Sequence, residues 1–226
     1  MTTLAAARVD TGDTAWLLAA TALVLLMTPG LALFYGGMVR TKSVLNMLMM
    51  SFVSIALVTV VWLAAGYSLA FGDDAFGGLI GTLDHAGMAG LGPDSVRGTV
   101  PTLLFATFQL TFAIITAAWS PARSRTGRSS RPGWSSCRLA LLVYVPVAHW
   151  VWGRRLDPDG TGRLDFAGGL PVEIVSGASG LALCLVLGPR LGFKKDAMRP
   201  HNLPMVMLGA GLLWFGWFGF NAGSAL

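Results

Sequence analysis

Charge is scarce in this chain. Only 12% of its residues are charged, against 54% hydrophobic, whereas a soluble domain carries about 25% charged residues. That shortfall excludes an ordinary soluble domain and points to an all-α integral membrane protein. Cysteine is nearly absent. Cys137 lies in a basic stretch and Cys184 in an apolar one, without metal or redox spacing, and both read as thiols outside any disulfide. Histidine occurs only at His85, His149 and His201. No nucleophile–base pair or metal cluster is visible, so a membrane enzyme has little support. Met1 to Asp13 lack the basic n-region and small-residue cleavage site of a signal peptide. Residues 1–14 therefore read as an external N-terminal segment, ahead of a first apolar segment that is retained as a span.

Long apolar runs are what the chain has in abundance. A span needs about 20 predominantly apolar residues. The first is expected from Ala15 to Gly37, with a local kink at Pro29-Gly30. The second runs from Ser43 to Phe71, the third from Val100 to Trp119, the fourth from Leu139 to Trp152, the fifth from Asp165 to Gly188 and the sixth from Leu203 onward. A loop rich in Gly and Asp separates the second from the third.

The loops differ in charge. Arg40 and Lys42; Arg123, Arg125, Arg128, Arg131 and Arg138; and Arg190, Lys194, Lys195 and Arg199 fall on alternate loops, which makes 11 of the 16 basic residues. Nearly all the acids lie on the other side. By the positive-inside rule the basic loops are cytoplasmic and the amino terminus is outside. Membrane orientation accounts for the net charge of +5, and a nucleic-acid partner is not needed to explain it.

The stretch from Ser120 to Arg138 breaks the pattern, with five Arg, six Ser and two Pro in nineteen residues. It reads either as a flexible cytoplasmic loop or as the product of two compensating frameshifts.

Several runs are specific enough to carry a resemblance: Met27-Thr-Pro-Gly-Leu-Ala-Leu-Phe-Tyr-Gly-Gly-Met-Val-Arg40, Phe105-Ala-Thr-Phe-Gln-Leu-Thr-Phe-Ala113, Asp165-Phe-Ala-Gly-Gly with Ser176-Gly-Ala-Ser-Gly180, Gly192 to Pro204, and Gly216-Trp-Phe-Gly-Phe-Asn-Ala-Gly-Ser224. Together they resemble the Amt/Mep/Rh ammonium transporters, in particular the bacterial Amt branch. The resemblance covers nearly all the chain from Asp13 on. It implies a transmembrane domain over residues 15–226, a multi-pass place in the cell membrane, and a homotrimer with a possible PII-type regulatory protein as partner. No cofactor is implied. Family members have about eleven spans in two inverted repeats, and this sequence corresponds to the first repeat plus the sixth helix. The expectation is therefore a truncated chain whose second repeat is absent.

The resemblance also assigns roles. Phe112, Trp152 and the Ser224 hydroxyl are placed at an outer ammonium recruitment site, where aromatic faces replace water by cation–π attraction. Phe112 and Phe220 are placed as a stacked gate, and Phe108 and Trp217 as vestibule residues. Phe108 precedes Phe112 by four residues, on the same helix face. Other readings stay open: an interface anchor for Trp152, helix packing for Phe112 and the Trp214–Phe220 aromatics, and a bond to its own backbone for Ser224.

An ionisable residue inside a span is a functional-site candidate, and the fifth span holds two. Asp165 suits an N-cap, and the resemblance places it beneath the ammonium site as a structural acid. Glu173 lies roughly 12 Å further along a helix and rotated by about 80°, so the two need not share a face. The resemblance puts Glu173 where the family usually has a pore-lining His, as a proton relay. None of His85, His149 or His201 matches the partner His. A buried acid bonded within the bundle is the plainer reading. Pro171 either bends a helix that starts at Phe166 or sits in a first turn; the residues leave both open. The function implied is ammonium transport, with ammonium recruited outside, deprotonated and conducted as ammonia beside a separate proton path. The alternative is a non-conducting, truncated or ammonium-sensing protein derived from the family.

Overall fold

A computed structural model of the protein describes residues 9–119, 138–153, 165–189, 192–195, 197 and 199–225. Among them, four helices are long and apolar enough to cross a membrane: α1 (Thr11–Met38), α2 (Thr41–Phe71), α3 (Thr102–Trp119) and α6 (Leu203–Ala222). Two shorter apolar helices, α4 (Ala140–Trp152) and α5 (Leu170–Val186), complete the six. Each matches one expected span. The stretch in which frameshifts were suspected lies outside the described residues, apart from Arg138, and Cys137 is outside them too. Cys184 sits on an exposed face of α5.

Helix α1 begins four residues earlier than expected, at Thr11. The reason is local: Asp10 has extended backbone angles, and its carboxylate accepts the Asp13 N–H at 2.9 Å, as an N-cap does. The helix then runs unbroken through Pro29 to Met38. What Pro29-Gly30 supplies here is room. A Cβ on Gly30 would stand 2.9 Å from Leu212 Cβ and 3.3 Å from the Gly209 carbonyl oxygen. Across the seam, Gly209, Gly216 and Gly219 leave no space for a side chain against α1, and a Cβ on Gly219 would stand 2.7 Å from the Ala20 oxygen. Small residues let the two backbones approach closely, the usual means of helix association in lipid.

Cross-links between helix ends show which ends share a side. At one side the Asp10 N–H donates to the Thr99 oxygen at 2.8 Å and the Trp16 indole to the Ala222 oxygen at 3.1 Å, so the start of α1, the start of α3 and the end of α6 lie together. At the other, the His201 and Asn202 N–H groups donate to the Gly37 oxygen, and the Tyr35 hydroxyl reaches the Trp119 oxygen. The sidedness agrees with the alternation of loop charges.

The Gly/Asp-rich loop is folded. It forms two short antiparallel ladders, β1 (Asp74–Ala75) with β2 (Ile80–Gly81) and β3 (Val96–Arg97) with β4 (Val100–Pro101). Ser68 fastens it to α2: its hydroxyl donates to the Thr82 oxygen and accepts the His85 N–H. Helix α3 is the hub of the core. Phe108, Phe112, Ile114 and Ile115 on it are all at most 2% exposed, while α2, α5 and α6 turn Leu45, Val60, Leu185, Val186 and Trp214 outward.

Candidate functional site

Four of the helices contain a widened turn in which the N–H reaches back five residues: Trp62–Gly66, Ala140–Tyr144, Leu170–Ile174 and Phe218–Ala222. Such turns are rare and concentrate at functional sites. Two of them carry residues singled out in the sequence, Glu173 and Phe220.

Phe112, buried on α3, is the centre of an aromatic cluster. Its ring lies 4.4 Å from that of Phe220, tilted by 35°, and 4.8 Å from that of Phe108. Trp152, at the end of α4, meets it edge-on at 6.0 Å. Three helices far apart in sequence thus bring Phe108, Phe112, Trp152 and Phe220 together. Trp217 joins by packing on Phe220 at 5.7 Å, and its ring also contacts that of Trp119 at 5.5 Å. It therefore lies on the side of Phe220 toward the far end of α3. Ser224 is tied to the cluster through Phe220, whose carbonyl accepts the Ser224 hydroxyl at 2.8 Å. A hydroxyl that donates to its own helix still has lone pairs with which to accept.

Asp165 anchors the turn that leads into α5. One carboxylate oxygen accepts the N–H of Gly168 at 2.9 Å and of Gly169 at 3.0 Å, and the other accepts that of Leu170 at 2.5 Å. Its backbone oxygen accepts the Trp152 indole N–H at 3.1 Å. One residue thus closes the turn into α5 and fixes the ring of Trp152. Gly168, at φ +101°, is required for this turn. A Cβ there would stand 2.8 Å from Trp152 Cζ2 and 3.4 Å from Phe112 Cε1.

The helix starts at Leu170, and Pro171 sits in its first turn. The spacing expected from a helix running through Asp165 is accordingly wrong. Asp165 precedes the helix, and both carboxylates come within 3.9 Å of the point where a Gly169 Cβ would stand. They flank one small residue. Both Glu173 carboxylate oxygens are buried and accept no hydrogen bond among the described residues.

Two supporting residues carried no signal in the sequence. His149 is fully buried. Its Nδ1 lies 3.0 Å from the Ala70 oxygen and its Nε2 3.1 Å from Asp74 Oδ1, joining the ends of α2 and α4 one turn from Trp152. Phe71 stacks on Trp152 at 6.3 Å, with the rings 15° from parallel. Neither partner is near in sequence, so only the fold reveals the contact.

Comparison with known proteins gives the arrangement its relatives. A family model described as Ammonium Transporter Family matches residues 15–226. An ammonium transporter of Aquifex aeolicus is 49% identical over 97% of this chain and 52% of its own length, and one of Bacillus subtilis is 50% identical over 95% and 53%. Among solved structures, Mep2 of Saccharomyces cerevisiae superposes with a TM-score of 0.78 at 35% identity, over 96% of this chain and 50% of its own. A structure described as a sensor Amt protein superposes at 0.82 with 29% identity, over 94% and 54%. The chain spans about half the length of the curated relatives it matches. On the family match and on these identities, the chain belongs to the ammonium transporter family.

Proposed function

We propose that this chain provides the recruitment site, gate and first proton acceptor of an ammonium transport path. The observation that carries the reading is the Phe112–Phe220 ring pair lying against Trp152, whose ring is fixed by Asp165. A cation that gives up water at the Trp152 and Phe112 rings gains cation–π attraction of about 2 kcal/mol or more when desolvated. Ser224 keeps acceptor capacity for an ammonium N–H. The packed Phe112 and Phe220 rings leave a hydrated ion no polar path, so the species that passes is neutral ammonia.

Deprotonation needs an acceptor beyond the gate. Glu173 has buried oxygens with no partner among the described residues, and a carboxylate is an acid–base group suited to proton transfer. Asp165 is already taken up by three N–H groups. The two acids thus divide the work: Asp165 holds the geometry and Glu173 takes the proton.

In this reading the amino terminus is outside, as the loop charges support, and the protein works as a homotrimer in the cell membrane. The cytoplasmic loops, which hold Lys194, Lys195 and Arg199, are the surface offered to a PII-type regulator. A second reading, a non-conducting sensor, is favoured by the similarity to the sensor Amt protein.

Expression in a strain unable to grow on low ammonium separates the two. Growth with saturable methylammonium uptake, abolished by Trp152→Ala, is the transporter outcome. A folded, membrane-inserted chain that binds methylammonium without restoring growth is the sensor outcome.

A further inference from the structure

The recruitment site has a positive charge beside it. Arg97, on β3, places its guanidinium carbon 4.9 Å from the Phe71 ring centre and 4.4 Å from that of Phe105. It also donates a hydrogen bond to the Tyr67 hydroxyl oxygen. Phe71 and Phe105 are themselves in edge contact at 5.2 Å, so the guanidinium caps a pair of rings. Phe71 stacks almost parallel on Trp152. Arg97 therefore packs on Phe71 and Phe71 on Trp152, while Phe112 and Gly168 also stand against Trp152. Among the described residues no carboxylate pairs with Arg97, and neither aromatic rings nor a neutral hydroxyl cancels its charge.

We propose that Arg97 sets the affinity of the recruitment site: held against Phe71, its charge opposes that of a cation bound at Trp152. The inference rests on the ammonium reading of the site above. The guanidinium lies at most about 11 Å from the Trp152 ring centre, and so no more than roughly 15 Å from a cation held against that ring. Two like charges at that separation, with an effective dielectric of about 20, change an equilibrium constant about sixfold. Salt screening in a half-exposed setting reduces this, which leaves a two- to sixfold effect. Weaker binding serves a conducting site, because a cation held too tightly at the entrance does not move on. The same field favours the neutral over the protonated form of a bound amine.

The test is a titration of the purified full chain with methylammonium chloride, followed by tryptophan fluorescence. Arg97→Gln removes the charge, Arg97→Met removes it while keeping an apolar stem over the rings, and Arg97→Lys keeps it. The dissociation constant is expected to fall two- to sixfold in the Gln and Met variants and to stay within twofold in the Lys variant, with the difference shrinking at high salt. Either neutral variant, if it unfolds at the wild-type temperature and binds with unchanged or weaker affinity, overturns the proposal. A wild-type chain that binds no methylammonium overturns the ammonium reading as well. A chain that binds it, with all variants alike, overturns only the role of Arg97.

Discussion

The Trp152 indole donates its N–H to the Asp165 backbone oxygen at 3.1 Å, and the carboxylate of the same Asp165 receives the N–H groups of Gly168, Gly169 and Leu170. Ring orientation and helix start therefore depend on one residue. Removing the carboxylate leaves three N–H groups to find other partners. Loss of an N-cap costs about 1 kcal/mol, and hydrogen bonds to a charged group about 1.5–3 kcal/mol each at most. Asp165→Ala is expected to destabilise the protein by about 3 kcal/mol and to abolish methylammonium binding. Thermal unfolding in detergent, paired with the binding titration, measures both. A stable variant with intact binding would show that the cap is dispensable.

Gly168 offers a narrower perturbation. Its φ of +101° suits glycine, and a Cβ would press on Trp152 at 2.8 Å. Backbone strain of this kind costs about 1–3 kcal/mol. Gly168→Ala is expected to weaken methylammonium binding at least tenfold with a smaller loss of stability than Asp165→Ala. Equal affinity in variant and wild type would mean that the Trp152 position does not matter for binding.

For Glu173 the prediction concerns protons. Glu173→Gln keeps the shape of the side chain and removes its ability to titrate. If the carboxylate relays a proton, the variant should still bind methylammonium but lose at least 90% of ammonium-driven current, a factor of ten or about 1.4 kcal/mol. Solid-supported membrane recordings across a pH series provide the measurement. Wild-type current with wild-type pH dependence in the variant would remove Glu173 from the proton path.

The seam between α1 and α6 predicts a stability effect away from the site. A Cβ on Gly209 would stand 2.6 Å from the Gly30 oxygen and 2.8 Å from Phe34 Cα. Overpacking of this kind costs about 1–3 kcal/mol. Gly209→Ala should lower the thermal midpoint, whereas Gly211→Ala, where a Cβ meets nothing within 4 Å, should not. Equal midpoints for both would mean that the helices separate at no cost.

Much of this was legible in the sequence because bilayer dimensions are strict. Apolar runs such as Ser43–Phe71 can become little other than helices, and the loop arginines and lysines sort the sides. The motif around Asp165 identified its acid, and Phe112, Trp152 and Phe220 do come together. What stayed hidden depends on backbone detail or on distant partners. Pro171 left the start of α5 undecided, since proline suits a first turn as well as a bend, and the placement of Asp165 relative to Glu173 followed that uncertainty. The widened turns have no residue signature. His149 and Arg97 look ordinary until the fold sets Asp74 against one and two phenylalanines beneath the other.

The glycine seam also has a consequence for biosynthesis. Helix α1 leaves the ribosome well before its closest neighbour, with the whole of α2 to α5 in between. At synthesis rates of about 5–20 residues per second, the groove of α1 waits roughly ten to thirty seconds for α6. During that interval Gly30 and Gly37 face lipid, the insertion machinery or a chaperone. The long-range closure of α6 onto α1 is thus also a step exposed to mispairing, and a substitution at Gly209 would act on the yield of inserted protein before it acted on the stability of what was made.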